Sequence, residues 1–352
     1  MSQRNGGAPS EPRATPVDQL ADGPGMSRID PNDPAAPNYE LVARLRGALS
    51  LREMMIQPVR TGYLGKDEPI NPKDLPPSPE ELFPNVAVEQ HYASSPDGPI
   101  RCETFRPEGA SSGLPTMMYF HGGGFMVGRS EDTEFLTRKL CVQNNLVVVS
   151  VNYRLAPEWP FPTGLDDCLA AYRWVLDEGG ALGADPGRVA FAGDSSGSNF
   201  AAAGALRARD AGLALPAAVV MLGPVCDFNF ERYESFNRLA PRGIVYDAAF
   251  AGFLRGAYVR HEQWSHPHVS PIHADLEGFP PTLLVVGTED PMIDNARAFA
   301  RKLEEAGNGH AELFVRDGMP HGFYFFPRLF REEEQAYAAV ERFLAKHLAV
   351  EG

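Results

Sequence analysis

Cys102, Cys141, Cys168 and Cys226 are the only cysteines in 352 residues, and none stands in a C-x-x-C pair or at zinc-ligand spacing. Such scatter argues against a disulfide scaffold or a cysteine-built metal site and for reduced, buried thiols. No stretch reaches the roughly 20 apolar residues of a transmembrane helix. The opening residues lack the apolar core of a secretory signal, so the expected compartment is the cytoplasm. Basic residues are also short: 32 Lys and Arg against 46 Asp and Glu give a formal net charge of −14. A chain this acidic lacks the basic patches that nucleic acid and anionic membranes require, so neither is an expected partner. No internal repeat is present.

What is present divides plainly. Residues 1–37 are rich in Pro, Gly, Ala and Asp and predict a disordered tail. Residues 38–65 carry apolar side chains at spacings near three and four, the pattern of an amphipathic helix. A proline-rich linker follows, closing a segment 38–84. Residues 86–92 and 100–105 flank Ser94-Ser95-Pro96-Asp97-Gly98 and predict a hairpin at a sheet edge. From there apolar runs alternate with helical stretches, with strands centred on 117–120, 146–151, 188–192, 217–222, 282–286 and 311–315. That alternation predicts a mainly parallel sheet with helices on both faces. One long insertion without a strand, residues 225–268, holds Phe228, Phe230, Phe236, Phe250, Phe253, Leu254 and Tyr258. Such length is usually functional, and together with the helix of 38–65 it is expected to cap a pocket.

Gly193-Asp194-Ser195-Ser196-Gly197 follows the apolar run Arg188-Val189-Ala190-Phe191-Ala192 and precedes a stretch of helix formers. A G-x-S-x-G turn between strand and helix makes Ser195 a candidate nucleophile, and its small neighbours permit a sharp bend. The new helix also points free N–H groups at the reaction centre. Upstream, His121-Gly122-Gly123-Gly124-Phe125 leaves another apolar run. Acyl transfer needs backbone N–H donors aimed at a developing oxyanion, and a glycine loop after an early strand supplies them.

The remaining partners are expected in the order serine, acid, histidine. Asp290 comes straight off the end of Pro281-Thr282-Leu283-Leu284-Val285-Val286-Gly287, where catalytic groups collect in such sheets. It is the candidate acid that orients an imidazole. Asp294 reads as first-turn helix charge. His321, in the loop after the last strand, is the candidate general base.

With His121-Gly122-Gly123-Gly124 and Gly193-Asp194-Ser195-Ser196-Gly197 in place, the chain resembles the hormone-sensitive-lipase-like bacterial carboxylesterases of the α/β-hydrolase superfamily. The likeness spans roughly residues 80–346 and includes Asn152-Tyr153-Arg154-Leu155-Ala156-Pro157-Glu158, Ala184-Asp185-Pro186-Gly187-Arg188, Asp290-Pro291 and His321-Gly322-Phe323. It implies an α/β-hydrolase fold: a mainly parallel central sheet, helices on both faces and a helical cap. It implies Ser195, Asp290 and His321 as triad, with the N–H groups of Gly123, Gly124 and Ser196 as oxyanion donors. Ser196 and Ser198 depart from the family's Ala and Gly. A hydroxyl at 196 leaves the backbone donor in place, while Ser198 takes room from the turn.

Other polar residues receive plainer readings. His121 is expected to hold its loop by hydrogen bonding. Asp194, beside the candidate nucleophile, has two readings, a group that tunes the site and, more simply, helix-N-terminal charge; Asp166 and Asp167 read as helix-start decoration, and Arg154 with Glu158 as structural ion pairs. His266, His268 and His273 are too irregular for a metal site. The expected activity is serine carboxylesterase, acting through an acyl-enzyme on short- to medium-chain esters, with no metal or organic cofactor. An amidase or lactonase on the same triad, or a non-catalytic receptor, are the alternatives. The expected partner is a small-molecule ester, and a homodimer is left open. Residues 85–224 and 269–352 would form the catalytic domain and 225–268 the cap insertion.

Overall fold

The computed structural model describes residues 78–242, 248–307, 311–326, 330 and 332–349. The expected tail 1–37, the helix of 38–65 and most of the linker lie outside the described residues. The linker's last residues form one helical turn, α1 (Pro79–Leu82). Ser78 and Glu81 satisfy each other's backbone N–H groups there, a capping box that local proline content hides.

Strands β1 (Val86–Ala93) and β2 (Ile100–Pro107) form the expected antiparallel hairpin. Six more follow: β3 (Leu114–Phe120), β4 (Val147–Val151), β5 (Ala184–Asp194), β6 (Ala218–Leu222), β7 (Thr282–Gly287) and β8 (Ala311–Arg316). They join one eight-stranded sheet in the order β1-β2-β4-β3-β5-β6-β7-β8. The hairpin meets β4 antiparallel, and every pairing from β4 to β8 is parallel. β4 and β6 are buried at every position, as expected of parallel strands covered on both faces.

Helices α2 (Glu134–Asn144), α3 (Thr163–Glu178), α4 (Ser196–Asp210), α5 (Glu234–Leu239), α6 (Ala248–Tyr258), α7 (Ile293–Glu305) and α8 (Glu333–His347) complete the described elements. Alternate residues of one strand feed two cores. Met118, Phe120, Phe191 and Met221 point to the side covered by α3, α4 and α7. Met117, Tyr119, Ala192 and Val220 point to the side covered by α2 and α8. Helices α5 and α6 come from the 225–268 insertion. Its aromatics split: Phe228 and Phe230 are fully buried in the first core, while Phe250 and Phe253 are half-buried against it.

Asp167 is not helix-start decoration. It lies buried in α3, and its carboxylate accepts from Arg154 Nη2 at 2.6 Å, Nε at 2.9 Å and the Arg154 backbone N–H at 2.9 Å. Arg154 also reaches Asp97 at 3.4 Å. Asp166, one residue earlier, is more exposed and pairs with Arg207 of α4. Removing one partner of a fully buried pair costs about 3–5 kcal/mol. Arg154 keeps 24% of its side chain exposed, so some of its charge is recovered by water. Asp167→Ala is therefore expected to lose roughly 2–3 kcal/mol in denaturant unfolding, while Asp166→Ala loses under about 1 kcal/mol. Equal losses would refute the distinction.

Candidate active site

The nucleophile turn is built by three backbone approaches. Ser195 sits between β5 and α4 with φ 50° and ψ −118°, a region that strains any residue with a Cβ. It is held there by its own peptide groups: its N–H donates to Leu222 O at 2.7 Å, and its carbonyl accepts from Ser198 Oγ at 2.5 Å. Both flanking glycines are obligatory. A Cβ at Gly193 would stand 2.3 Å from Gly197 O, and one at Gly197 would stand 1.9 Å from Phe120 O. Ser198 fits the turn without crowding it, because its hydroxyl also accepts the Val225 N–H at 3.2 Å.

The candidate acid and base come from the ends of β7 and β8. The Asp290 carboxylate accepts from the Met292 N–H at 2.8 Å and faces His321 Nδ1 at 2.7 Å. His321 Nε2 lies 3.0 Å from Ser195 Oγ. Asp290 and His321 are both buried. Their loops are stitched together, since Glu289 N–H donates to Met319 O at 3.0 Å. Gly287 permits this approach, because a Cβ there would fall 1.9 Å from Met319 O. Burial alone would depress the His321 pKa, but the charge and hydrogen bond of Asp290 outweigh it and hold the imidazole above its usual 6.5. Asp294 does lie in the first turn of α7. It also accepts the Ser235 N–H at 2.9 Å and so ties α5 beside the acid loop.

The glycine loop after β3 is equally constrained. Gly123 and Gly124 adopt φ of 117° and 62°. A Cβ at Gly123 would meet Val127 O at 2.1 Å, and one at Gly124 would meet Leu254 Cδ1 of α6 at 2.7 Å. Cap helix and loop are thus in direct contact, reinforced by the Phe125 ring stacked on Tyr258 at 3.8 Å. The backbone N–H groups of Gly123, Gly124 and Ser196 have no hydrogen-bond partner among the described residues. His121 serves its loop as expected: its Nδ1 donates to Gly122 O at 2.7 Å and its ring stacks on Tyr153 at 4.2 Å. Burial pushes its pKa down to about 4, which keeps it neutral.

Asp194 departs from the sequence reading. It does not cap α4; its Oδ1 accepts from Tyr119 Oη at 2.7 Å and from the Gly122 N–H at 2.9 Å. A carboxylate directly after the apolar run of residues 189–192 was the available signal. His266, His268 and His273 do not converge: His268 pairs with Asp210 at 2.8 Å and His273 faces Asp227 at 3.5 Å. Among the described residues no group of three or more His, Cys, Asp or Glu could hold a metal ion. No helix among them is long and apolar enough to cross a membrane.

A serine, a carboxylate and an imidazole in line, on the loops after β5, β7 and β8 at the carboxyl edge of this sheet, define the α/β-hydrolase class. Residues 117–325 match the family described as alpha/beta hydrolase fold. The chain is 34% identical over 265 residues to Carboxylesterase NlhH of Mycobacterium tuberculosis, covering 71% of this chain and 79% of that one. It is 32% identical over 297 residues to Acetyl-hydrolase of Streptomyces hygroscopicus, covering 84% and 89%. The solved hyperthermophilic esterase of the archaeon Pyrobaculum calidifontis superposes with a TM-score of 0.75 at 30% identity, over 88% of this chain and 94% of that one. The chain belongs to the alpha/beta hydrolase family, in its hormone-sensitive-lipase-like branch.

The opposed effects on His321 give a signed expectation. Its ring nitrogens, followed by NMR, should titrate above 6.5 in the native protein. In Asp290→Asn the larger raising charge is gone, and burial is opposed only by the more weakly acting Asp194, so the titration should move to lower pH. An unchanged midpoint would mean that Asp290 does not control the imidazole.

Proposed function

We propose that the protein is a serine carboxylesterase acting on short- to medium-chain esters. The observation that carries this reading is the line Asp290–His321–Ser195, at 2.7 and 3.0 Å, with acid and imidazole buried, beside three backbone donors that have no partner among the described residues. Ser195 Oγ attacks the ester carbonyl while His321 Nε2 takes its proton. Asp290 keeps the Nδ1 proton of His321 engaged and stabilises the imidazolium. The N–H groups of Gly123, Gly124 and Ser196 receive the oxyanion. His321 then protonates the departing alcohol, and water releases the acid from the acyl-serine in the same way. Because His321 must be neutral to accept the proton, activity should fall as pH drops through its raised pKa.

The catalytic body in this proposal is residues 85–224 and 269–352, with 225–268 as cap. The partner is a small uncharged ester met in the cytoplasm, which the net charge of −14 neither steers nor repels. Phe228 and Phe230 are sealed in the core and do not close the acyl pocket. The pocket wall falls instead to Leu254, in contact with Gly124, and to half-buried Phe250 and Phe253 on the same helix. Each methylene buried there contributes about 0.8 kcal/mol until the wall is reached, after which overpacking costs roughly 1–3 kcal/mol.

Rates on p-nitrophenyl esters of graded acyl length, with an amide and a lactone alongside, test the reading. kcat/KM should peak at about two to eight acyl carbons and then fall. Ser195→Ala should abolish turnover, and Ser196→Ala should keep most of it, because only the backbone at 196 is used. Rates still rising at long chains, a jump at an oil–water interface, or a preference for the amide or lactone would contradict the assignment.

A further inference from the structure

Asp194 is a buried carboxylate that the proton transfers leave unused. It is 1% exposed, and its Oδ2 has no hydrogen-bond partner among the described residues. Leaving a buried acid half-satisfied is costly, so its place needs a reason.

The reason lies in where the sheet ends. β3 and β5 run parallel up to the pair Phe120↔Gly193. One step further the two chains diverge, one into the glycine loop and the other into the serine turn. At that step the Gly122 N–H finds no main-chain carbonyl and is taken by the Asp194 side chain at 2.9 Å. Tyr119 Oη, from the strand below, fixes the same carboxylate oxygen at 2.7 Å. The other oxygen fills the space beside Gly122, where a Cβ would stand 2.1 Å from it. Gly122 is held on its far side too, through its carbonyl and His121 Nδ1 at 2.7 Å. The peptide is planar and trans, so fixing the Gly122 carbonyl fixes the opposite direction of the Gly123 N–H.

We propose that Asp194 is a positioning residue for ester hydrolysis, a strut that sets the separation between Ser195, its own neighbour, and the Gly123 donor, the neighbour of Gly122. The proposal rests on the carboxylesterase reading above. Its geometry explains why an acceptor is needed at 194, and the charge adds a second effect. The groups facing Asp194 are Tyr119 from β3, Tyr153 from the segment after β4, and His321 and Tyr324 from the segment after β8. Burial holds all three phenols well above their ordinary range. Burial likewise raises the Asp194 carboxyl to about 6, against its two hydrogen bonds. Its negative charge helps to raise the His321 pKa, after Asp290.

The test compares wild type, Asp194→Asn and Asp194→Ala, with Ser195→Ala as control, on p-nitrophenyl butyrate. Losing a set oxyanion donor costs on the order of 10²–10³ in kcat, so Asp194→Ala should fall by about 10²-fold with KM changed less than roughly threefold. Asn keeps the acceptor and should restore most of kcat. It lacks the charge, so the acid limb of its kcat/KM profile should move to lower pH. A folded Asp194→Ala with wild-type kcat, or a loss carried by KM, overturns the proposal. Should Asp194→Ala fail to fold, the acid limb of Asp194→Asn decides: a shift to lower pH supports the proposal and an unmoved limb overturns it. If wild-type turnover survives in Ser195→Ala, the carboxylesterase reading fails instead. The strut is then read without turnover, by hydrogen exchange at Gly122 and Gly123, which should quicken in Asp194→Ala; unchanged protection overturns it.

Discussion

At the start of α4 a Cβ on Gly197 would stand 1.9 Å from the carbonyl oxygen of Phe120 and 2.6 Å from that of His121. The end of β3 and the beginning of α4 are therefore pressed together main chain to main chain. That contact forces the serine turn to be sharp, and the strained φ of 50° at Ser195 is its consequence. It also brings the glycine loop alongside the first turn of α4, so that donors from two distant segments share one space. A methyl group at 197 would push the helix away from the loop and dissolve both features at once.

Around this contact the site is assembled from four strand ends on one edge of the sheet, each contributing one group. β3 delivers the loop N–H groups, β5 the serine, β7 the carboxylate and β8 the imidazole. Parallel strands emerge on the same edge, so the topology alone gathers them, and the loops need only be short. What short loops cannot give is angular precision. That comes from hydrogen bonds that each loop makes to its neighbour: Glu289 to Met319, Asp194 to Gly122, Ser198 to Val225. Burial then strengthens every polar contact inside, because water is not there to compete. Helix α6 touches the same loop through Leu254 beside Gly124 and Tyr258 on Phe125, so helix and glycine loop are one packed unit.

Much of this could be read from the chain itself. Parallel strands buried on both faces appear as unbroken apolar runs, as β4, β6 and β7 do, while the edge hairpin shows instead as two short runs around a turn. The two glycine motifs announce their turns because only glycine tolerates the contacts made there. The invisible part consists of long-range partners. Asp167, Asp194 and Asp294 all read locally as helix-start charges, yet they bind Arg154, Gly122 and Ser235 across the fold. A helix dipole is a property of neighbours in sequence, whereas these bonds join elements 13 to 72 residues apart. The burial of Phe228 and Phe230 was illegible for a related reason, since an aromatic in an insertion looks the same whether it lines a pocket or plugs the core.

The central claim is that Ser195 carries the acyl group. Rapid-quench mass spectrometry during turnover of an activated ester, with peptide mapping of the trapped species, tests it most directly. The account predicts an acyl mass on the peptide holding Ser195, formed in step with a burst of one alcohol per protein and absent from Ser195→Ala. Steady hydrolysis with an acyl group on another residue, or with none on the protein at any time, would contradict it.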